Sequence, residues 1–97
     1  MGTGAEEITI RFFASFKDIF KQKEAGVRTD QASTVHEALD HVCTTRERRR
    51  GVFTDSGALQ PEVLVLVNGR NIVFLEDLAT PLRSGDVVAV FPPVKGG

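Results

Sequence analysis

Gly85-Asp86-Val87-Val88-Ala89-Val90-Phe91-Pro92-Pro93-Val94-Lys95-Gly96-Gly97 decides the fold of this chain and points toward its function. Ser84-Gly85-Asp86 reads as a turn, and Val87 to Phe91 as a strand. Pro92 and Pro93 lack N–H donors, so a sheet interior cannot continue through them. Pro92 also holds Phe91 extended. The strand therefore hands over to a stiff tail, 92–97, whose extended length is about 19 Å at 3.1 Å per residue. Gly96 and Gly97 carry no Cβ, so this tail fits a slot too narrow for a side chain. A bare carboxylate on a slim, stiff arm suits delivery into another protein's active site. A frayed terminus is the ordinary alternative, but a loose end has no need of two prolines.

Working back from that strand, Val63 to Val67 is a second strongly apolar run. Asn68-Gly69 follows it, the strongest short hairpin signal, with Arg70 to Phe74 as the return arm. Leu75 to Leu82 reads as a compact connection in which Pro81 limits helix. Near the start, Ile8, Ile10 and Phe12 alternate with Thr9, Arg11 and Phe13, a period-2 strand in which Phe13 is the misfit. Phe16, Ile19 and Phe20 fit either one helical turn or an ordered loop, and Glu24 to Asp30 a weak strand interrupted by Gly26. Thr34 and Glu37 form a capping-box pattern. Val35, Ala38, Leu39, Val42 and Cys43 then fall on one helical stripe. Arg46, Arg48, Arg49 and Arg50 sit at the expected end of that helix, where the dipole favours positive charge, with Gly51 as its stop. Residues 51–60 read as a loop around Asp55-Ser56-Gly57.

The order is β-β-α-β-β-β, an α+β domain with one main helix on one face of a mixed sheet of about five strands. Its expected parts are a flexible lead (1–7), a domain (8–91) and an exposed tail (92–97). One helix covers one face only, yet Val63–Val67 and Val87–Phe91 are apolar on both. Either the 75–82 connection or a partner must cover the second face.

Ninety-seven residues suit one domain. Twelve basic against thirteen acidic side chains give a net charge of −1, which argues against wholesale nucleic-acid binding. No apolar run approaches the ~20 residues that span a bilayer, so no membrane association is expected. The acidic start, Met1 to Glu7, is unlike a signal peptide. A single cysteine, Cys43, cannot form an internal disulfide, which fits a cytoplasmic location. It reads as a small apolar core residue. His36 and His41 are five apart, off the i, i+4 ligand spacing, and no metal site is expected. The arginine group reads as a solvated helix end. No phosphate-binding glycine motif and no nucleophile–His–acid set is present, so activation chemistry must come from another protein.

Val65-Leu66-Val67-Asn68-Gly69, Thr80-Pro81-Leu82 and the run from Gly85 to Gly97 together resemble the ubiquitin-like β-grasp sulfur carriers of the MoaD/ThiS type, most closely MoaD. Ile10-Arg11-Phe12-Phe13-Ala14 extends the likeness to the first strand. The resemblance implies a chain that binds no cofactor itself. A MoeB-like adenylating enzyme, using ATP and Mg, activates Gly97 as an acyl adenylate, and sulfur then replaces AMP to leave a thiocarboxylate. It implies a non-catalytic small subunit of molybdopterin synthase, whose MoaE-like large subunit accepts the sulfur in molybdenum-cofactor biosynthesis. Gly97 would be the covalent carrier, and Gly96, Pro92 and Pro93 would thread the tail. Phe91, Val94 and Lys95 would meet the partner. The alternative is a small archaeal protein modifier joined through Gly97 to lysines of target proteins. The stretch Arg49 to Leu59 looks more like that group. Lys95 departs from the small neutral residue expected in MoaD, and either hinders passage through a tight channel or contacts an acidic partner.

Overall fold

The computed structural model describes residues 6–93. The elements are β1 (Glu7–Phe12), α1 (Ser15–Phe20), β2 (Glu24–Arg28), α2 (Val35–Val42), α3 (Arg46–Val52), β3 (Leu64–Val67), β4 (Arg70–Asn71) and β5 (Val87–Phe91), with short 3-10 turns at Ile72–Phe74 and Asp77–Ala79. The five strands form one mixed sheet in the order β2-β1-β5-β3-β4. First and last strands pair in parallel at its centre, Ile10 opposite Val88 and Phe12 opposite Val90. The other pairings are antiparallel.

Alternation decides which face is buried. Ile8, Ile10, Phe12, Val65, Val67, Val88 and Val90 turn inward and join Val35, Ala38, Leu39 and Val42 of α2 in one core. The intervening residues Thr9, Arg11, Phe13, Leu64, Leu66, Val87, Ala89 and Phe91 are all half-buried or exposed. Residues 75–82 do not cover that outer face. Leu75, Leu78 and Leu82 pack on the same core as the helices, and Val35 N donates to Thr80 O while Leu82 N donates to Ser33 O. The connection thus closes the helical side, and no described residue buries the other.

Local signals explain most of the element ends. Glu37 N donates to Thr34 Oγ1 at 3.2 Å, and Ser33 N donates back to Glu37 Oε1 at 2.7 Å, which holds the Glu37 carboxyl below the usual carboxylate range. Asn68 and Gly69 take positive φ, 50° and 86°, the two-residue hairpin geometry. Asn68 Nδ2 also donates to Asp86 Oδ1 at 3.0 Å, clasping the hairpin to the turn before β5.

Three expectations require correction. The helix beginning at Val35 ends at Val42 rather than running through the arginines to Gly51. Thr45 caps a separate helix, its Oγ1 accepting from Arg48 N at 3.1 Å, and that helix runs past Gly51 to Val52. Arg48 is not a solvated helix end. Its guanidinium donates to Ile19 O (3.3 Å), Phe20 O (3.2 Å) and Thr44 Oγ1 (3.0 Å) and lies 5.3 Å from the Phe20 ring. Carbonyls left free at the end of α1 are satisfied by a side chain from α3. The second correction concerns the return arm. Only Arg70 and Asn71 pair with β3, because the Asn71 side chain accepts from Val73 N and turns the chain into a 3-10 helix. The first strand also starts at Glu7, inside the expected lead.

Arg48→Ala is expected to cost about 2–3 kcal/mol, since it strands two carbonyls that a charged donor had satisfied. Arg48→Lys should recover less than half, because one ammonium cannot span the same fork. Urea unfolding of the three proteins measures this.

Candidate functional site: the outer sheet face and the root of the tail

Parallel pairing of β1 with β5 brings the ends of both strands to one corner. Phe13 lies just past β1, and its N donates to Val90 O at 3.2 Å. Its ring stacks on Phe91, with centroids 4.3 Å apart and planes 11° from parallel. Such a pair contributes about 0.5–1.5 kcal/mol beyond area burial, and both rings remain half-exposed. Antiparallel register sets Leu64 opposite Phe91 and Leu66 opposite Ala89. Leu64 is 37% exposed. The result is an apolar strip across the outer face, with Arg11 over the Phe13 ring at 5.8 Å.

The tail leaves from the edge of this strip. Pro92 and Pro93 are half-exposed and line a recess of about 390 Å³ with Ser15, Phe16, Ile19 and Pro61. The side of α1 that carries Lys17 helps line another recess of about 530 Å³, with Arg11, Phe13, Lys23 and Glu24. A third, of about 560 Å³, lies by the β3–β4 hairpin and is lined by Asn68, Arg70, Glu76 and Pro81. That places it at the opposite end of β5, where Asn68 N donates to Val87 O, so it is remote from the tail root.

Of the sequence-predicted site residues, Phe91 ends β5, and Pro92 and Pro93 form the described root. Val94, Lys95, Gly96 and Gly97 lie outside the described residues. Phe13 and Leu64 join Phe91 on this face but were not singled out for it. The available signal was the misfit itself, a large apolar side chain on the polar side of β1.

Other chemistry-bearing groups are accounted for nearby. Cys43 is buried within the core, and loss of hydration pushes its thiol up from 9.0 to about 11. The neutral thiol's contribution to stability is complete below pH 9 and is lost as pH rises toward 11, because the unfolded chain releases that proton first. Cys43 is therefore expected to resist alkylation at pH 8 until the chain is unfolded, which a stopped iodoacetamide reaction read by mass would measure. Asp40 pairs with Arg49, whose guanidinium lies 5.5 Å from the Phe53 ring. Among the described residues no group of three or more His, Cys, Asp or Glu could hold a metal ion. Nor, among the described residues, is any helix long and apolar enough to cross a membrane.

The sequence matches the ThiS family over residues 10–97. The chain belongs to the ThiS family. It is 41% identical over 91 residues to small archaeal modifier protein 3 of Haloferax volcanii, covering 94% of this chain and 99% of that one. The crystal structure of small archaeal modifier protein 1 from the same organism superposes with a TM-score of 0.79 at 30% identity, over 94% of this chain and 99% of that one. A Pyrococcus furiosus structure provisionally described as molybdopterin converting factor, subunit 1, gives a TM-score of 0.68 at 27% identity, over 91% of this chain and 98% of that one. This ThiS-family chain is thus a ubiquitin-like β-grasp protein, as its last strand and tail led one to expect.

Proposed function

We propose that this ThiS-family chain is a ubiquitin-like modifier of the small archaeal modifier kind, joined through Gly97 to lysines of target proteins. The observation that carries this reading is the 41% identity to small archaeal modifier protein 3 across nearly the full length of both chains. The first step is activation. A carboxylate at neutral pH is a poor electrophile, so a MoeB-like adenylating enzyme joins the Gly97 carboxylate to ATP with Mg and releases pyrophosphate. The resulting acyl adenylate carries AMP as leaving group. A lysine amine then attacks the carbonyl, AMP departs, and an isopeptide bond remains.

The chain's own residues bind and aim. The Phe13–Phe91 stack with Leu64 offers the adenylating enzyme an apolar surface. Pro92 and Pro93 stiffen the exit, and Gly96 lets the terminus pass a narrow channel. Val94 and Lys95 meet the walls of that channel.

A second reading is a sulfur carrier, in which sulfur rather than an amine displaces AMP and leaves a thiocarboxylate on Gly97. ThiS-family membership and the likeness to the Pyrococcus furiosus protein support it. Its finer form is the small subunit of molybdopterin synthase, with a MoaE-like large subunit as acceptor. It now stands behind the modifier, because the fuller sequence likeness is to the modifiers.

Intact mass separates the two fates. After expression in its own host, the modifier reading expects target peptides bearing Gly97 on a lysine side chain. The carrier reading expects free chain in which one oxygen is replaced by sulfur. Sulfur-bearing chain with no lysine adduct under any growth condition would reverse the order of the two readings.

A further inference from the structure

The recess of about 530 Å³ beside the Phe13 ring has a charge that neither the fold nor the apolar strip explains. Arg11, Lys17 and Lys23 line it against one acid, Glu24. Arg11 Nε is 3.9 Å from Glu24 Oε1, and both side chains are more than half exposed, so that pair neutralises little. Among the described residues neither Lys17 nor Lys23 has an ion-pair partner. Arg28, in contrast, pairs with Asp30, Arg49 with Asp40, and Arg48 holds backbone carbonyls. In a chain of net charge −1, three cations against one acid thus line a single recess at the corner where the tail begins.

We propose that the Arg11–Lys17–Lys23 recess receives an acidic segment of the adenylating protein, so that a carboxylate contact beside the Phe13–Phe91 stack fixes how the tail is aimed. The inference rests on the reading that Gly97 is adenylated, a step shared by the modifier and the carrier. The bound nucleotide is not the occupant. It must sit at Gly97, six residues beyond Phe91 in the sequence, whereas the recess lies at the root. The apolar strip alone allows a partner to slide or rotate on a smooth surface. A charged contact at one edge removes that freedom, since complementary charge sets orientation and encounter rate more than total affinity. The conformations of Ala14 and Lys21 hold the recess in shape. Ala14 takes φ 52° at the start of α1 and Lys21 φ 60° at its end, so α1 is short and turns back at once toward Lys23, whose carbonyl accepts from Phe12 N at 2.8 Å.

The test uses the full chain, the purified ubiquitin-activating-type adenylating enzyme of the same organism, ATP and Mg, read as chain-dependent pyrophosphate exchange. The double variant Lys17→Glu with Lys23→Glu should raise KM for the chain about tenfold at 0.1 M salt, leave kcat within about twofold, and lose most of that penalty at 1 M salt. Lys17→Arg with Lys23→Arg should behave like the parent. Thermal melting of both variants checks that these exposed substitutions leave the fold intact. An unchanged KM, or a penalty that salt does not relieve, overturns the proposal. A fall in kcat alone overturns it as well, since the recess would then act on chemistry rather than docking. No exchange with the parent chain would instead overturn the underlying reading of Gly97.

Discussion

Phe20→Ala is expected to remove about 3–5 kcal/mol of stability, the largest loss foreseen for one side chain here. The ring is 1% exposed. It stacks on Phe12 with centroids 4.3 Å apart and meets Phe16 edge-on at 5.7 Å. Arg48 covers it and donates to its carbonyl. Phe20 therefore joins β1, α1 and α3, and its removal leaves a cavity between three elements that cannot all collapse together. Domains of this size have total stabilities of about 5–15 kcal/mol. The variant should melt about 15–30 °C lower, and Phe20→Leu should retain most of the stability. Urea and thermal unfolding followed by circular dichroism measure both. A loss below about 1 kcal/mol for Phe20→Ala would mean that the aromatic cluster is not the keystone of this corner.

Deleting Gly96 and Gly97 is expected to reduce adenylation to background, a loss of at least about 1,000-fold. At 3.1 Å per extended residue the carboxylate retreats by about 6 Å, and a misplacement of only about 1 Å can already cost a factor near 100. The new terminal residue, Lys95, also brings a long cationic side chain to a channel that glycine suits. Folding should be untouched, because the last strand ends at Phe91 and the buried core is built from Ile8 to Val90. The truncated chain keeps the Phe13–Phe91 face and should therefore compete with the full chain for the adenylating enzyme. Loss of turnover with retained competition separates docking from chemistry. Pyrophosphate exchange in the presence of both chains reads the two effects together.

Much of this architecture was legible because local chemistry and global packing agree at the decisive positions. Val87 to Phe91 form β5 with the expected bounds, since Gly85, at φ 91°, and Pro92 punctuate both ends. Asn68-Gly69 turns as it must, and Thr34 with Glu37 starts α2 where the pattern placed it. Cys43 sits on the buried stripe. Illegible parts are those where a side chain overrides the pattern. Thr45 restarts a helix after Cys43, a break that helical periodicity alone does not reveal, and Arg48 then points inward to carbonyls of α1, twenty-eight residues earlier in the case of Phe20. Asn71 ends β4 after two residues by accepting from Val73 N. The exposed apolar strip was foreseen as one of two alternatives, and the packing of Leu75, Leu78 and Leu82 on the helical side left the outer face open. Parallel pairing of β1 with β5 is a property of the whole sheet, so the meeting of Phe13 with Phe91 was not visible in either segment. The terminal Val94 to Gly97 were read from sequence alone and lie beyond the described residues.

Hydroxylamine trapping tests the central claim most directly. Added to the full chain, its adenylating enzyme, ATP and Mg, hydroxylamine attacks an acyl adenylate, releases AMP and leaves a stable hydroxamate. Tandem mass spectrometry should then place the hydroxamate on the carboxyl of Gly97 and on no aspartate or glutamate side chain. A chain that stays unmodified while the same enzyme adenylates another ubiquitin-like protein, or a hydroxamate found only on an internal carboxyl, would contradict the account.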